Sequence, residues 1–548
     1  MANKNKNRSF LMQGGTLASA AIIGRLIGLI YRIPLTSIIG DEGNNYYGCA
    51  FDIYNIMLLI SSYSLPMAVS KLVSSYRSKG ELKNAYKVLK CATGFALAVG
   101  SAACLLVFFG ARYITGTIFH TPLSLYALWV LAPTLLITAL LGIYRGFFQG
   151  MENMFPSAVS QVLEQLVNAA VSVLAAYFLS SGGMRIGKVL ANESGYRAAY
   201  GAAGAALGTT VGAAVSLVFL YILFRAFSRS SKRRMGREHA RKVTSRQLFR
   251  IMLLTVLPIL GASVLYNINI VAEQGIFKHM MKDAASPEQI SAWWGIFSGK
   301  FKTLVNFPVA VAAAIGAACI PGIAAARAKK DKGDVEKKTE LVIRFCVLIA
   351  FPFSFGLMLL SAPIMEFLFQ DTEPLASGLL LAGGTTIIFY SLSTVAMGIL
   401  QGIGKLRLPV INSAAALILH LITLVVLLKY TDLKIYAVVA AMAVFSISAT
   451  LLDLFALVRC GVWTPEFMKT FLLPAVCAMI MASFSWVIEF GLSQVTVHKY
   501  VTVPAAIVCG ILIYFALLLI LRALTKEEMK MFPGGRLVLR LMGRLARA

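Results

Sequence analysis

The chain has 548 residues, of which 58% are hydrophobic and only 14% charged, where a soluble domain carries about 25% charged residues. A mean hydropathy of +0.77, with the excess running from residue 10 to residue 522, excludes a secreted enzyme, a soluble nucleic-acid binder and a single-span receptor, and leaves a polytopic integral membrane protein. The net charge of +27, from 51 Lys and Arg against 24 Asp and Glu, would suggest nucleic acid in a soluble protein, but here it reads as basic loops held on one side of a bilayer.

A helix needs about 20 apolar residues to cross the hydrocarbon. Fourteen stretches qualify. Span 1 (10–34) is too long for the apolar region of a cleavable signal and is predicted to be retained. It carries Arg25 and Arg32, seven residues apart on one helical face and about 10 Å apart along the axis, with Gly24 and Gly28 beside them. An arginine at bilayer depth costs at least about 2.5 kcal/mol, so each should face a cavity or a partner. Pairing with Asp52, in span 2 (48–73), or snorkelling of Arg32 to the outer interface are the bland alternatives. Spans 3 and 4 (90–112 and 124–147) contain no acidic residue. Span 5 (156–180) holds a polar stripe of Gln161, Glu164 and Gln165, and span 6 (198–224) is rich in Gly and Ala from Gly201 to Ala214, which permits close helix contact.

A basic linker (226–249) leads to span 7 (250–274), with Asn267, Asn269 and Glu273. Span 8 (294–325) opens as GKFKTLVNFP. Lys300 and Lys302 would point about 200° apart on an α-helix, so only one is expected to line a cavity, with Lys300 slightly preferred. Asp52, Glu164 and Glu273 are expected to serve as polar cavity groups, counter-ions or helix-to-helix hydrogen-bond partners. Spans 9 to 12 fall at 341–365, 376–402, 408–429 and 434–458, and spans 13 and 14 at 469–490 and 500–522. A basic tail (523–548) follows, whose Arg536, Arg540 and Arg544 suit an amphipathic helix on anionic lipid. Asp453 and Glu489 receive no role.

Basic residues favour one side of the predicted spans by roughly four to one, which places both termini in the cytoplasm. The eight cysteines form no CxxC or Cys/His cluster and read as buried thiols, and no residues point to a metal or cofactor. No outer loop carries the cluster of carboxylates or histidines that an enzyme would need near an interface.

Two stretches repeat. YRGFFQGMENMFP (144–156) matches MGILQGIGKLRLP (397–409), each with G-x-x-Q-G at the inner end of a span, and Pro66 with its SYRSKGELKNA has a counterpart in Pro321 with RAKKDKGDVEK. The fold class is therefore an all-α polytopic membrane protein with two six-helix lobes in parallel repeat, residues 1–225 and 250–458, plus two extra helices in 459–522. The charges that mark its interior are cationic. Guanidinium groups pair with phosphate through forked, charge-assisted hydrogen bonds, so the expected ligand is an anion, a lipid pyrophosphate in a fold of this size.

The runs GRLIGLIYRIPL, MAVSKLVSSYRSKGE, RGFFQGMENMFPSAVSQVLEQ and GKFKTLVNFPVAVAAAIGAACIP resemble the polysaccharide-biosynthesis branch of the MOP exporters, and within it the MurJ-type lipid II flippases and SpoVB proteins of Gram-positive bacteria. The resemblance spans essentially the whole chain. It implies alternating access of two lobes in the bacterial cytoplasmic membrane, with spans 13 and 14 forming a groove for a lipid tail. It also implies a lipid-linked glycan as substrate, contact with membrane lipids and with cell-wall synthesis enzymes as candidate partners, and no nucleic acid. Head-group binding would fall on Arg25, with Arg32 second and a basic residue opening span 8. That residue is lysine here, which cannot form the fork, and Asp52 stands where some relatives have a basic residue. With no GxxxxGK[ST] loop to grip ATP, the expected drive is membrane potential or an ion gradient. A flippase for another lipid-linked glycan is the nearest alternative. A drug/cation antiporter working through Glu273 and a non-transporting scaffold are further ones.

Overall fold

A computed structural model of the chain describes residues 2–63, 65–236, 243–251, 272–328, 331–405, 407–495 and 499–521. Every regular element among them is helical. Ten helices are long and apolar enough to cross a membrane, or eleven if Pro374–Gly383 and Thr386–Gly402, bent by 44°, count as one span. The all-α polytopic class stands. The count of fourteen does not emerge as such: the helix Lys302–Ala328, expected as span 8, is not among those that qualify, and two further differences have visible causes. Most of span 7, with Asn267 and Asn269, lies outside the described residues, as do residues 237–242 of the linker and the basic tail. And the first two spans run together as one helical stretch, α1 (Ala2–Leu58), whose only non-helical residue is Gly40 (φ 68°, ψ −179°). A positive φ suits glycine, which has no Cβ to clash. The chain therefore kinks at Gly40 within GDEGNN almost without a loop. Leu59–Tyr63 then forms a π turn ahead of α2 (Leu65–Ser78).

The chain divides into two compact units. The first comprises Met1–Thr303 and Leu421–Val438. Its further helices are α3 (Leu82–Tyr113), α4 (Leu125–Gly150), α5 (Phe155–Val189) and α6 (Glu193–Gly236), then a helical run at 272–281, α7 (Pro287–Gly295) and a π-helical segment, Ile296–Phe301. The small residues foreseen in span 6 have a definite use. A Cβ on Gly204 would stand 2.5 Å from the Ala175 carbonyl, one on Gly208 2.6 Å from the Ser172 nitrogen, and one on Gly212 2.7 Å from the Glu164 carbonyl. Glycine at every fourth position thus cuts a groove along α6 into which the backbone of α5 settles, a close approach that supplies dispersion contact where lipid offers no hydrophobic drive. Because backbone atoms of Ser172 and Asn168 as well as the Ser172 hydroxyl fill the space, Gly208→Leu should cost several kcal/mol, above the about 1–3 kcal/mol typical of overpacking, and should appear as loss of a monodisperse peak in detergent.

The second unit comprises Leu304–His420 and Val439–Ala548. It contains α8 (Lys302–Ala328) apart from its first turn, α9 (Lys332–Leu359), α10 (Ser361–Phe369), α11 (Pro374–Gly383), α12 (Thr386–Gly402), α13 (Arg407–Tyr430) up to His420, α14 (Ile435–Arg459) from Val439, α15 (Leu473–Val495) and α16 (Lys499–Ile520). Its apolar core includes the fully buried Ile343, Val347, Ile399, Leu457 and Ala478. Asp453 and Glu489, left without a role in the sequence analysis, hold helices together. Asp453 accepts from Asn412 Nδ2 at 2.8 Å and from Ser393 Oγ at 3.2 Å, joining α12, α13 and α14. Glu489 accepts from Lys499 Nζ at 2.9 Å, which also faces Glu366 at 3.7 Å. Each buried charge has donors, as a low-dielectric setting requires.

Candidate functional site

The ionisable residues of interest all fall in the first unit, and the break at Gly40 organises them. It delivers Asp41 to the π-helical segment, where Lys300 Nζ meets Asp41 Oδ1 at 2.7 Å. Lys302 takes a different acid, Glu273 Oε2 at 3.6 Å, with its ammonium 4.6 Å from the Phe297 ring centroid and 5.5 Å from that of Trp294. The expectation that one lysine would face inward and the other snorkel resolves differently. Both are turned inward, Lys300 only 7% exposed, and each is committed to a separate carboxylate.

A third lysine, Lys278, which the sequence did not single out, joins them. Lys278 is 2% exposed and donates to Asn45 Oδ1 at 2.7 Å. Asn45 in turn donates to Ser291 Oγ at 2.6 Å. With its amide oxygen turned inward, Gln274 accepts from Lys278 at 2.9 Å and from Trp294 Nε1 at 3.1 Å. Burial pulls the Lys278 ammonium down to about 8, against the opposing pull of Cys49 and Asp52. Asp52 sits in the combined field of Lys302, Glu273, Arg32 and Lys278. No ion pair of Asp52 with either span-1 arginine is formed among the described residues.

The span-1 arginines are different. Arg32 lies with its guanidinium carbon 5.8 Å from the Tyr47 ring centroid, a cation–π placement, and has no ion pair among the described residues. Arg25 is exposed and has neither a hydrogen bond nor an ion pair among them. Beside it the helix runs close to α5, since a Cβ on Gly24 would come 3.2 Å from Gln165 Cγ. Glu164, one residue earlier on α5, is engaged by Arg145, whose Nη2 reaches Glu164 Oε2 at 2.6 Å while its Nε donates to Ser160 Oγ at 2.9 Å. Glu164 thus has Arg145 as its partner, a residue the sequence did not single out.

What this arrangement offers chemically follows from which cations are already satisfied. Lys300, Lys302 and Arg145 have carboxylates and Lys278 has amide oxygens. Arg25 and Arg32, on one helix, keep donor capacity for an external oxyanion.

The fold and the residues agree with several comparisons. A family model described as polysaccharide biosynthesis protein matches residues 11–327, more than half of the chain. The chain belongs to the polysaccharide biosynthesis protein family. Within the wider MOP superfamily it is a MurJ/SpoVB-like member and a multi-pass membrane protein, and a second family model, lipid II flippase MurJ, matches residues 302–507. Stage V sporulation protein B of Bacillus subtilis is 24% identical over 546 residues, covering 97% of this chain and 99% of the relative. The lipid II flippase MurJ of the same organism is 26% identical over 448 residues, covering 78% of each. Among solved structures, the fold is similar to lipid II flippase MurJ in an inward closed conformation (TM-score 0.64, 17% identity, 92% of this chain and 98% of that one). It is also similar to an inward-facing multidrug resistance MATE family transporter of the MOP superfamily (TM-score 0.64, 15% identity, 81% and 98%). At such identities the structural likeness is one of fold alone.

Proposed function

We propose that this member of the polysaccharide biosynthesis protein family carries lipid II, the polyprenyl-pyrophosphate-linked peptidoglycan precursor, from the inner to the outer leaflet of the bacterial cytoplasmic membrane by alternating access, with both termini in the cytoplasm. The observation that carries the reading is the contrast between the lysines, each held by a partner of its own, and the span-1 arginines, which have no carboxylate ion pair among the described residues. A diphosphate spreads charge over several oxygens, and a guanidinium offers five donors in a fixed plane that matches them and keeps its charge at any working pH. Arg25 would hold the pyrophosphate and Arg32 would assist from two turns further along. The Lys300–Asp41 and Lys302–Glu273 pairs would be neutral cross-links that exchange partners as access changes. The relatives named for lipid II flipping and the MurJ match support this substrate, and membrane potential or an ion gradient would supply the drive.

A second reading, transport of a different lipid-linked glycan, is favoured by the match to stage V sporulation protein B, which runs nearly end to end. Complementation separates the two. Cells depleted of their own lipid II flippase should grow when this chain is expressed, and failure of a well-inserted protein to restore growth would favour the other glycan. Drug/cation antiport would put the decisive group at a carboxylate. It predicts that Glu273→Gln abolishes efflux of a cationic dye, whereas the reading proposed here predicts no dye efflux by the wild type above empty vesicles.

A further inference from the structure

The repeated G-x-x-Q-G stretch finds its explanation away from the arginines, where α2 meets the end of α4. A Cβ on Gly146 would come 2.5 Å from the Pro66 carbonyl, and one on Gly150 2.7 Å from the Ser70 carbonyl. The two glycines therefore seat α4 directly on the backbone of α2. Gln149, between them in the stretch, lies elsewhere. It lines a cavity of about 540 Å³ whose other walls are Pro66, Met67, Ser70, Lys71 and Ser74.

Those five positions are one face of α2, since residues four apart lie one above the other. The lining carries two hydroxyls, one amide and one ammonium, together with the apolar Pro66 and the exposed Met67. Lys71 is exposed and has no ion pair among the described residues. The end of α2 is fixed independently, by Arg77 Nη1, which donates to the Met151 carbonyl and lies 3.4 Å from Glu152 Oε2. Stability thus asks nothing of Lys71. In the matching stretch from Pro321, Ala325 and Ala326 stand at the positions of Ser70 and Lys71. A lysine, two serines and a glutamine around an open cavity, beside an apolar wall, form a cradle for an oxyanion attached to a lipid.

We propose that this cavity is a second, lower binding site for the phosphate-bearing head group, on the side that the basic loops assign to the cytoplasm, where substrate docks before it reaches Arg25. Lys71 neutralises the charge, Ser70, Ser74 and Gln149 donate to oxygens, and Met67 and Pro66 contact the first carbons of the tail. The proposal rests on the flippase reading above and adds a site to it.

The test is equilibrium binding of a fluorescent polyprenyl pyrophosphate, without sugar, to the full chain in phosphatidylcholine nanodiscs, for wild type, Lys71→Gln, Lys71→Arg and Arg25→Ala. Loss of one charge-assisted hydrogen bond corresponds to roughly tenfold or more in affinity. Lys71→Gln should weaken binding by that factor with unchanged melting, Lys71→Arg should recover most of it, and inorganic pyrophosphate should displace the probe. Affinity unchanged in Lys71→Gln while Arg25→Ala still loses binding would overturn the second site and leave the flippase reading standing. Displacement of the probe by phosphatidylglycerol as readily as by pyrophosphate would also overturn it, showing a surface for bulk anionic lipid. Absence of any probe binding by the wild type would take down the flippase reading and this site together.

Discussion

Arg25→Ala is expected to abolish complementation of a flippase-depleted strain while leaving the protein in the membrane at undiminished level. The two halves of that result have separate causes. A forked pair of charge-assisted hydrogen bonds to pyrophosphate corresponds to about 3 kcal/mol or more, so its loss should weaken head-group binding by over a hundredfold. Insertion moves the opposite way. Arginine near the middle of a span opposes insertion by about 2.5 kcal/mol, and since Arg25 has no hydrogen bond or ion pair among the described residues, its removal leaves no buried acid behind. Arg25→Lys should be intermediate, with charge kept and the fork lost. Growth readings alongside membrane-fraction blots measure both halves, and full growth of the alanine variant would remove the phosphate-binding role.

The Lys302–Glu273 pair predicts an unequal outcome for its two halves. Removing Lys302 leaves Glu273, 2% exposed, without its cation and in the field of Asp52. Breaking a buried pair in this way costs about 3–5 kcal/mol. Glu273→Gln leaves Lys302 against the faces of Phe297 and Trp294, with Asp52 near, so the residual cation keeps an attractive setting worth about 1–2 kcal/mol. Thermal melts in detergent should therefore rank wild type highest, Glu273→Gln slightly below and Lys302→Ala well below. The reverse ranking would mean that the lysine, not the acid, is the group left stranded. The double variant Lys302→Ala/Glu273→Gln should recover part of the loss of Lys302→Ala, since no buried charge then remains unpaired.

How far the sequence foretells this molecule differs from one feature to another. Spans 3 to 6 are legible because each is a long apolar run bounded by turn residues or charges, and the glycine-rich character of span 6 announces the groove on α6. The fusion of spans 1 and 2 at Gly40 is not legible, since GDEGNN reads as a polar loop until the positive φ of Gly40 is seen. The arginines could be singled out because a charge within an apolar run stands out on its own. Their lack of carboxylate partners among the described residues could not, because partnership depends on contacts across hundreds of residues, as between Asp41 and Lys300. The π-helical segment Ile296–Phe301 changes the phase on which the either/or choice between Lys300 and Lys302 rested. Lys278 and Arg145 were hidden for the same reason. Near the end of a span, loop and buried helix share one composition, and only packing tells them apart.

The central claim, that the chain moves a lipid pyrophosphate between leaflets, is tested most directly with purified protein in sealed vesicles carrying labelled lipid II on one leaflet. On this account label crosses to the other leaflet at a rate proportional to the protein present, without ATP, and vesicles bearing Arg25→Ala behave as empty ones. Wild-type vesicles that keep the label on its starting leaflet, under an imposed membrane potential as well as without one, would contradict it.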